Sequence, residues 1–258
     1  MNMSKNKHGL DQFYTKTDVA QKCLQTLNLD SYEFIVEPSA GEGVFLNLAK
    51  HQNKIGYDLD PKSENIEKCD FLEKDLNFLK NYKVLFFGNP PFGRNSSLAL
   101  KFIKKSSEFA HTIAFILPKG FKKRSMVDKI PLDFKIVRII DLEHDNFTYN
   151  GNDYNVPCVW MVLEKTDKER TKEKKLKPSK FQFVTKDSAN LAVRRVGVNA
   201  GNAFLNTNVS VQSHYFISCE NPVLLSTMLT KDLFSYNDTT GPRSISKNEL
   251  IRVIDTIL

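Results

Sequence analysis

The stretch Val84-Leu85-Phe86-Phe87-Gly88-Asn89-Pro90-Pro91-Phe92-Gly93 decides the fold of this chain. Its first four residues are uniformly apolar, which is typical of a parallel strand buried on both faces. The strand cannot continue beyond Gly88, because two consecutive prolines lack the amide hydrogens that a central strand needs and impose an extended turn. The turn therefore holds Asn89 and Phe92 at the carboxyl end of a strand, where open α/β sheets bind their ligands.

The turn after this strand presents groups that suit a planar ring bearing an amino group. The Asn89 side chain and the Pro90 carbonyl supply hydrogen-bond acceptors, and Phe92 supplies an aromatic face. Asn89-Pro90-Pro91-Phe92 resembles the catalytic motif of the N6-adenine methyltransferases that use S-adenosylmethionine. The resemblance implies that Asn89, Pro90, Pro91 and Phe92 form the catalytic turn, with Asn89 also touching the cofactor and Phe92 stacking on the target base.

Length and composition fit a soluble α/β protein. With 258 residues, 41% of them hydrophobic, the chain can form one large domain or a medium domain with an appendage. No apolar stretch approaches the roughly 18 residues that cross a bilayer, and the first residues carry no apolar signal segment. We therefore expect an intracellular protein, of the cytoplasm, nucleoid or nucleus, that does not bind a membrane.

The net charge of +7 favours a polyanionic partner, and nucleic acid, either DNA or RNA, is the first candidate. A lysine-rich proteome would give the same excess, so the charge alone leaves both explanations open. The four cysteines lie far apart without a C-x-x-C pair, and the five histidines show no ligand spacing. The sequence therefore predicts no metal site.

Two features upstream of the catalytic turn extend the resemblance. Phe13-Tyr14-Thr15 precedes a helix for which Thr17 is a candidate N-cap, and it resembles the segment that covers the methionine part of the cofactor, although core packing would also explain it. The apolar strand 34–36 then leads into a glycine turn that resembles methyltransferase motif I and consists of Glu37, Pro38, Ser39, Ala40, Gly41, Glu42 and Gly43. By that resemblance the turn binds the cofactor, with Glu37 facing its ammonium group.

Acidic residues follow the next two segments. Residues 54–57 predict a second strand, and an acid at its end can accept both ribose hydroxyls of a nucleoside. We assign this role to Asp58, with Asp60 as the alternative. The segment 69–72 predicts a short strand edge, where Asp70 could accept the adenine amino group of the cofactor and Phe71 could form an apolar wall, unless Asp70 is simply a solvated acid.

The second half of the first 165 residues completes a sheet. Apolar runs predict strands at 112–117, 135–142 and 157–163, and Asn95 or Ser96 is a candidate cap for the helix before them. The last two strands are joined by a loop with an Asn-Gly turn signal and therefore form an antiparallel hairpin. Phe147 in that loop matches a second aromatic of the family that contacts the target base, although Tyr149 or a structural role for Phe147 would serve as well.

Beyond this sheet the composition changes. Residues 166–180 are charge-dense without apolar periodicity and predict a solvated linker, and residues 181–258 predict a small α+β module. In that module Arg194 and Arg195 are candidate nucleic-acid contacts, with surface salt bridges as an equal alternative. Ser246 and Glu249 predict a helix start with a capping box.

The sequence therefore predicts an α/β protein with a Rossmann-like, seven-stranded class I methyltransferase sheet, mostly parallel with an antiparallel last strand, in residues 1–165. The motif order resembles the gamma group of adenine methyltransferases. We expect methylation of adenine N6 in nucleic acid, with DNA slightly favoured over RNA. A glutamine methyltransferase, or a binder without activity, is the alternative. The module is short for a full recognition domain, so a partner subunit for target recognition remains an open option.

Overall fold

The structure is a computed structural model that describes residues 13–142, 146–149, 152–234 and 242–258. The chain divides into two compact units, Met1–Lys172 and Glu173–Leu258. The first unit contains the strands and helices β1 Tyr14–Thr15, α1 Thr17–Leu24, β2 Phe34–Glu37, α2 Val44–Leu48, β3 Lys54–Asp58, β4 Ile66–Lys68, β5 Val84–Gly88, α3 Ser97–Ser107, β6 Thr112–Pro118, α4 Arg124–Val127, β7 Phe134–Asp141, β8 Phe147–Tyr149, β9 Asn152–Tyr154 and β10 Cys158–Lys165.

A seven-stranded sheet forms the centre of the first unit, in the order β4-β3-β2-β5-β6-β10-β7. The pairs from β4 to β6 are parallel, whereas β10 runs antiparallel to both of its neighbours, β6 and β7. From β2 the sheet extends in one direction through β3 and β4 and in the other through β5 and β6, and its last strand in the chain, β10, lies antiparallel between β6 and β7. This strand order is that of the class I methyltransferase sheet. The fold predicted from the sequence is confirmed.

Each face of the sheet buries its own apolar layer. The strand β5 is buried over its whole length, and its side chains alternate between the two layers because successive strand residues point to opposite faces. Phe86 belongs to the layer that includes α3, and Leu85 and Phe87 belong to the layer that includes α1 and α2. The continuous apolar run in β5 is therefore the consequence of a strand covered on both sides.

A second, three-stranded sheet in the order β1-β8-β9 joins two parts of the chain that are far apart in sequence. Thr15 pairs with Phe147 in an antiparallel register, and the Lys16 backbone amide donates to the carbonyl of Asn146 at 3.0 Å. The Lys16 ammonium group also lies 2.7 Å from the Asp153 carboxylate. The segment that precedes α1 is thus held by a hairpin more than 130 residues later in the chain.

Three local predictions need correction. The segment 69–72 is not a strand, because β4 ends at Lys68 and the chain then turns. The helix α1 begins at Thr17 itself, so that Lys16 rather than Thr17 holds the N-cap position. Ser96 does hold the N-cap position of α3, but its side chain makes no capping hydrogen bond. The predicted turn at Asn150 and Gly151, and that part of the loop, lie outside the described residues.

The second unit is a small α+β structure. Its strands form a four-stranded antiparallel sheet in the order β11-β14-β12-β13, and its elements are β11 Phe181–Phe183, β12 Leu191–Arg194, β13 Ala203–Phe204, β14 His214–Cys219, α5 Pro222–Met228 and α6 Lys247–Ile257. The predicted capping box is confirmed, since the Ser246 hydroxyl accepts from the Glu249 amide at 3.2 Å and the Glu249 carboxylate accepts from the Ser246 amide at 2.6 Å.

The charge-dense stretch 166–180 is attached at several points rather than solvated throughout. In the first unit the Arg170 guanidinium donates to the carbonyls of Phe134, Val127, Ile130 and Pro131. In the second unit the amides of Leu176 and Ser179 donate to side chains of α6. A pattern of charges predicts a solvated surface, but it does not reveal that one guanidinium satisfies a set of backbone carbonyls. No helix within the described ranges has the length and apolarity needed to cross a membrane.

Replacement of Phe86 by Ala tests the central position of β5. The side chain is fully buried in the apolar layer that includes α3 and packs edge-on against the Phe71 ring, so its removal leaves a cavity in that layer. We expect the free energy of unfolding to fall by about 3–5 kcal/mol. Urea denaturation followed by the fluorescence of Trp160, the single tryptophan, measures the change. A loss below about 1 kcal/mol would contradict a central β5.

Candidate active site

A cavity of about 1030 Å³ opens in the first unit at the carboxyl ends of β2, β3 and β5. It brings together most of the residues that the sequence singled out. The predicted residues that line it are Phe13, Tyr14, Thr15, Glu37, Pro38, Ser39, Gly41, Asp58, Asp70, Phe71, Asn89, Pro90, Pro91 and Phe92. Residues from the N-terminal segment, the glycine turn, the acidic strand ends and the proline turn thus meet at one edge of the sheet, as expected for an open α/β fold.

The structure places the remaining predicted residues outside this lining. Gly43 lies behind the glycine turn at the N-cap of α2, with φ of 82°. Phe147 is 1% exposed and packs edge-on against Phe92, with the ring centroids 6.4 Å apart. Arg194 and Arg195 lie in the second unit, where they donate to the carbonyls of Val196 and Gln212. Phe147 therefore supports an aromatic ring of the cavity wall and does not form the wall itself.

Asn89 is held in place by two hydrogen bonds to other parts of the chain. Its backbone carbonyl accepts from the Ser39 hydroxyl at 3.0 Å, and its side-chain Nδ2 donates to the Phe13 carbonyl at 3.4 Å. Its Oδ1 is buried and has no hydrogen-bond partner among the described residues. A buried amide oxygen without a donor costs free energy, about 1–3 kcal/mol, so the folded chain maintains an acceptor that a ligand N–H can satisfy.

The glycine turn makes room for a ligand and for a ring that covers it. Gly41 has φ of +53°, and a Cβ atom there would lie 3.3 Å from Cε1 of Tyr14. The Gly41 amide donates to Oδ2 of Asp58 at 2.8 Å, and the Asp60 amide donates to Oδ1 of Asp58 at 2.8 Å. Each carboxylate oxygen has about two acceptor positions, so Asp58 keeps one on each oxygen for further donors. Asp60 is instead paired with Lys62 at 2.5 Å.

Glu37 is the most deeply buried charged residue of the cavity wall, at 2% exposure. Its Oε2 accepts from the Leu46 amide in the first turn of α2 at 2.9 Å. Burial raises the pKa of this carboxyl well above its ordinary value, the hydrogen bond from Leu46 opposes that rise, and the charge of Asp58 adds to it. The side chain thus joins the end of β2 to the start of α2, a structural contact that the motif alone did not predict.

The acidic residue predicted for the cofactor's adenine end lies in a turn. Asp70 is exposed, and its Oδ1 accepts from the Leu72 amide at 2.9 Å. Phe71 beside it is 2% exposed and stacks on Phe102 with the centroids 5.3 Å apart. An apolar wall at this end of the cavity is present, and Phe102, which sequence analysis used only as a core residue of α3, is part of it.

The loop after the proline turn and the first turn of α3 supply residues that the sequence did not assign to the site, namely Arg94, Asn95 and Leu98. Asn95 and Ser96 have φ of 54° and 59°, the two positive values found for residues other than glycine in the described ranges. Gly93 before them has φ of +66°, and a Cβ atom there would lie 2.7 Å from Cβ of Leu98. Glycine directly after the motif was the available signal for this close approach.

Charge is divided unequally along the cavity lining. The side of the glycine turn and the acidic strand ends carries the carboxylates of Glu37, Glu42, Asp58, Asp60 and Asp70. Of the charged residues in this lining, Arg94 beside the proline turn is the single cation. The first side therefore suits a positively charged ligand, and the second suits an electron-rich or anionic one. Within the described ranges no group of three His, Cys, Asp or Glu side chains is arranged to hold a metal ion.

Comparison with known proteins yields structural likeness alone. No family model and no curated protein matches the sequence. A Pyrococcus horikoshii protein assigned as an RNA methyltransferase is 15% identical, with a TM-score of 0.47, over 61% of this chain and 88% of its own. The 23S rRNA methyltransferase ErmE is 19% identical, with a TM-score of 0.45, over 61% of this chain and 71% of its own.

A third solved structure covers more of the sequence. A protein from Vibrio vulnificus, assigned as a modification subunit of a type I restriction enzyme, is 12% identical, with a TM-score of 0.46, over 91% of this chain and 59% of its own. These identities and TM-scores are too low to transfer a substrate or a site residue. The class that the chain's own fold and site define is that of a class I methyltransferase sheet with a cavity at its ligand-binding edge.

Replacement of Glu37 by Gln tests the burial of this carboxyl. Since its pKa is higher in the folded chain than its ordinary value of 4.5, protonation stabilises the folded chain. That stabilisation is complete below the ordinary pKa and is lost as the pH rises through the raised value. Gln can still accept from the Leu46 amide but does not ionise. We therefore expect the melting temperature of the variant to fall less than that of the wild type between about pH 5 and about pH 8.

The control is Glu73→Gln, the same chemical change at an exposed carboxylate. It should leave the pH dependence of the wild type unchanged. Equal pH dependence of the wild type and Glu37→Gln would contradict the assignment of a raised pKa to Glu37. Differential scanning calorimetry in the absence of ligand measures all three proteins.

Proposed function

We propose that the protein transfers a methyl group from S-adenosylmethionine to N6 of adenine in nucleic acid. The observation that carries the proposal is Oδ1 of Asn89, which is buried, has no partner among the described residues and lines a cavity with Pro90 and Phe92. An exocyclic amino group is the kind of donor that this oxygen lacks. A purine ring on that amino group would also fit beside the aromatic wall.

The cofactor is proposed from the other side of the cavity. S-adenosylmethionine carries positive charge on its sulfur and its ammonium group, and this side is lined by carboxylates. Asp58 has acceptor capacity for two ribose hydroxyls, and Gly41 leaves the space that a side chain would fill. Tyr14 lies over that turn, and Phe71 offers an apolar face for an adenine ring. The residues present therefore suit the cofactor that the motif implies.

The chemistry follows from the position of the acceptors. The lone pair of an adenine amino group is delocalised into the ring, so the amine is a poor nucleophile. Acceptance of its two hydrogens by Oδ1 of Asn89 and the Pro90 carbonyl would localise that lone pair and offset the positive charge that develops on nitrogen. When bound, S-adenosylmethionine supplies an electrophilic methyl group. The methylated nitrogen is acidic enough to lose its proton to water, so no general base is required.

The geometry around Phe92 supports a flipped base rather than a free nucleoside. Phe92 is held edge-on by Phe147, which is itself fixed through the pairing of β8 with β1. A rigid ring in the wall can replace the stacking that a base loses when it leaves a helix. DNA and RNA both meet this requirement, and neither is favoured by a contact in the cavity. A glutamine side chain also carries an amide N–H, but it offers a stacking ring a smaller planar surface than a purine does.

Replacement of Asn89 by Ala tests the acceptor. We expect methylation to fall by about 10²–10³-fold, because one pre-organised transition-state contact is removed. Tritiated S-adenosylmethionine is incubated with panels of double-stranded DNA, single-stranded DNA and structured RNA, and N6-methyladenine is identified after digestion. Asn77→Ala, the same change at an exposed residue, is the control and should retain full activity.

The same panel distinguishes the alternatives. Cofactor binding without label in any polynucleotide, combined with label in a glutamine-containing peptide, would reject the adenine proposal in favour of protein methylation. A protein whose melting temperature S-adenosylmethionine does not raise would be a binder without this activity. An Asn89→Ala protein as active as the wild type would contradict the proposed role of Asn89 as hydrogen-bond acceptor.

Replacement of Asp58 by Asn tests the ribose contact. The neutral amide keeps the shape and one acceptor oxygen but loses the charge that strengthens hydrogen bonds to the ribose hydroxyls. We expect the dissociation constant for S-adenosylmethionine to rise about tenfold, as measured by isothermal titration calorimetry. Asp60→Asn removes the same charge two residues away and should change the affinity less. A larger effect at Asp60 would assign the ribose to that residue instead.

A further inference from the structure

We infer that Arg94 and the loop Lys119–Arg124 form a phosphate-binding rim beside the proline turn, which holds the polynucleotide backbone next to the target base. This inference rests on the proposed function and extends it, since it names the group that positions the nucleic acid. We call this set of residues the basic rim; it consists of Arg94, Lys119, Lys122, Lys123 and Arg124.

Arg94 is placed for an anion outside the protein. It is exposed and lines the cavity, and its side chain forms no salt bridge or hydrogen bond among the described residues, although carboxylates line the same cavity. The carboxylates lie on the cofactor side, and Arg94 follows the catalytic motif directly. The planar guanidinium can donate two parallel hydrogen bonds to the oxygens of a phosphodiester group beside the aromatic wall.

The backbone around Arg94 is constrained rather than free to adapt. Asn95 and Ser96 both adopt the left-handed conformation, which costs residues other than glycine roughly 1 kcal/mol or more each. Leu98 packs so closely on Gly93 that no Cβ would fit. The amides of Leu98 and Ala99 both donate to the Phe92 carbonyl, at 3.2 and 3.3 Å. The position of Arg94 is therefore fixed relative to Phe92, the residue proposed to stack on the base.

The second part of the basic rim lies at the same edge of the sheet. Gly88 at the end of β5 pairs in register with Phe115 of the neighbouring parallel strand β6, and Pro118 lies about 10 Å further along β6 at the same edge of the sheet. The loop that follows Pro118 carries four cations. Lys119 and Lys122 share the carboxylate of Asp141, at 3.7 and 3.2 Å, so one carboxylate faces two ammonium groups.

Residues 119–124 include no acidic side chain. Arg124 pairs with Asp128 at 2.9 Å, outside this segment. The segment itself is therefore cationic in sequence. Positive groups on neighbouring strand ends, on the side of the proline turn, define a track for a chain of phosphates. Such contacts fix the register of the nucleic acid and carry no base preference.

The test compares Arg94→Gln, Lys119→Gln and the control Lys101→Gln, which removes the same charge from an exposed position of α3 outside the cavity lining. The probes are fluorescein-labelled oligonucleotides of 20 nucleotides, single-stranded DNA, duplex DNA and hairpin RNA, and their Kd is measured by anisotropy from about 50 to about 200 mM KCl. A phosphate contact makes the affinity depend more steeply on salt, so its loss flattens the plot of log K against log salt.

We expect Arg94→Gln and Lys119→Gln each to lower that slope by about 0.7–0.9, and Lys101→Gln to leave it unchanged. Arg94→Gln should also weaken binding about tenfold at low salt, equally for all base sequences. The Kd for S-adenosylmethionine should stay the same in all three variants. Fluorescence of Trp160 verifies that each variant is folded.

The outcomes separate this inference from the proposed function. An unchanged salt slope in Arg94→Gln overturns the basic rim even if the wild type methylates the oligonucleotide. An unchanged slope together with weaker cofactor binding would show that Arg94 binds the cofactor's carboxylate instead, and would also overturn it. A wild type that binds and methylates no polynucleotide overturns the proposed function, and the inference with it.

Discussion

The close approach of Glu37 and Gly88 is the constraint on which the site depends. The strands β2 and β5 end side by side, and a Cβ atom at Gly88 would lie 3.0 Å from Cγ of Glu37. Glycine at this position, with φ of +121°, therefore lets the Glu37 side chain pass beside the start of the proline turn. The Glu37 carboxyl then reaches the first turn of α2 through the Leu46 amide. One side chain fixes a strand end, a turn and a helix start relative to one another.

A rigid frame of this kind explains how an unsatisfied acceptor persists at Asn89. The Ser39 hydroxyl and the Phe13 carbonyl hold the residue from two sides, so its side chain has little freedom to find a donor within the protein. The apolar layers on both faces of β5 stabilise the fold and offset the free-energy cost of the buried oxygen. Burial of Glu37, which raises the pKa of its carboxyl, is a second cost concentrated at the same edge. Strain and unpaired groups therefore gather where we propose that ligands bind.

Most of the residues that the sequence singled out line one cavity. The proline turn, the glycine turn and Asp58 were found from local order, because proline fixes the backbone angle φ and glycine allows conformations that other residues rarely adopt. The role of Phe147 could not be found in this way, since its burial under Phe92 depends on the pairing of β8 with β1. The strand predicted at 69–72 was wrong because its apolar residues pack as a turn against α3 rather than within the sheet.

By itself, the sequence determined that residues 84–87 and 112–117 form buried strands and that the first of these ends before two prolines, because a continuous apolar run and a proline act over a few residues. It also determined which polar groups stand at those ends. Only the tertiary structure decided that β10 lies between β6 and β7, that the hairpin β8-β9 holds the segment before α1, and that Arg94 keeps its donors available. These are properties of residues brought together from distant parts of the chain, and no local pattern encodes the distance between them.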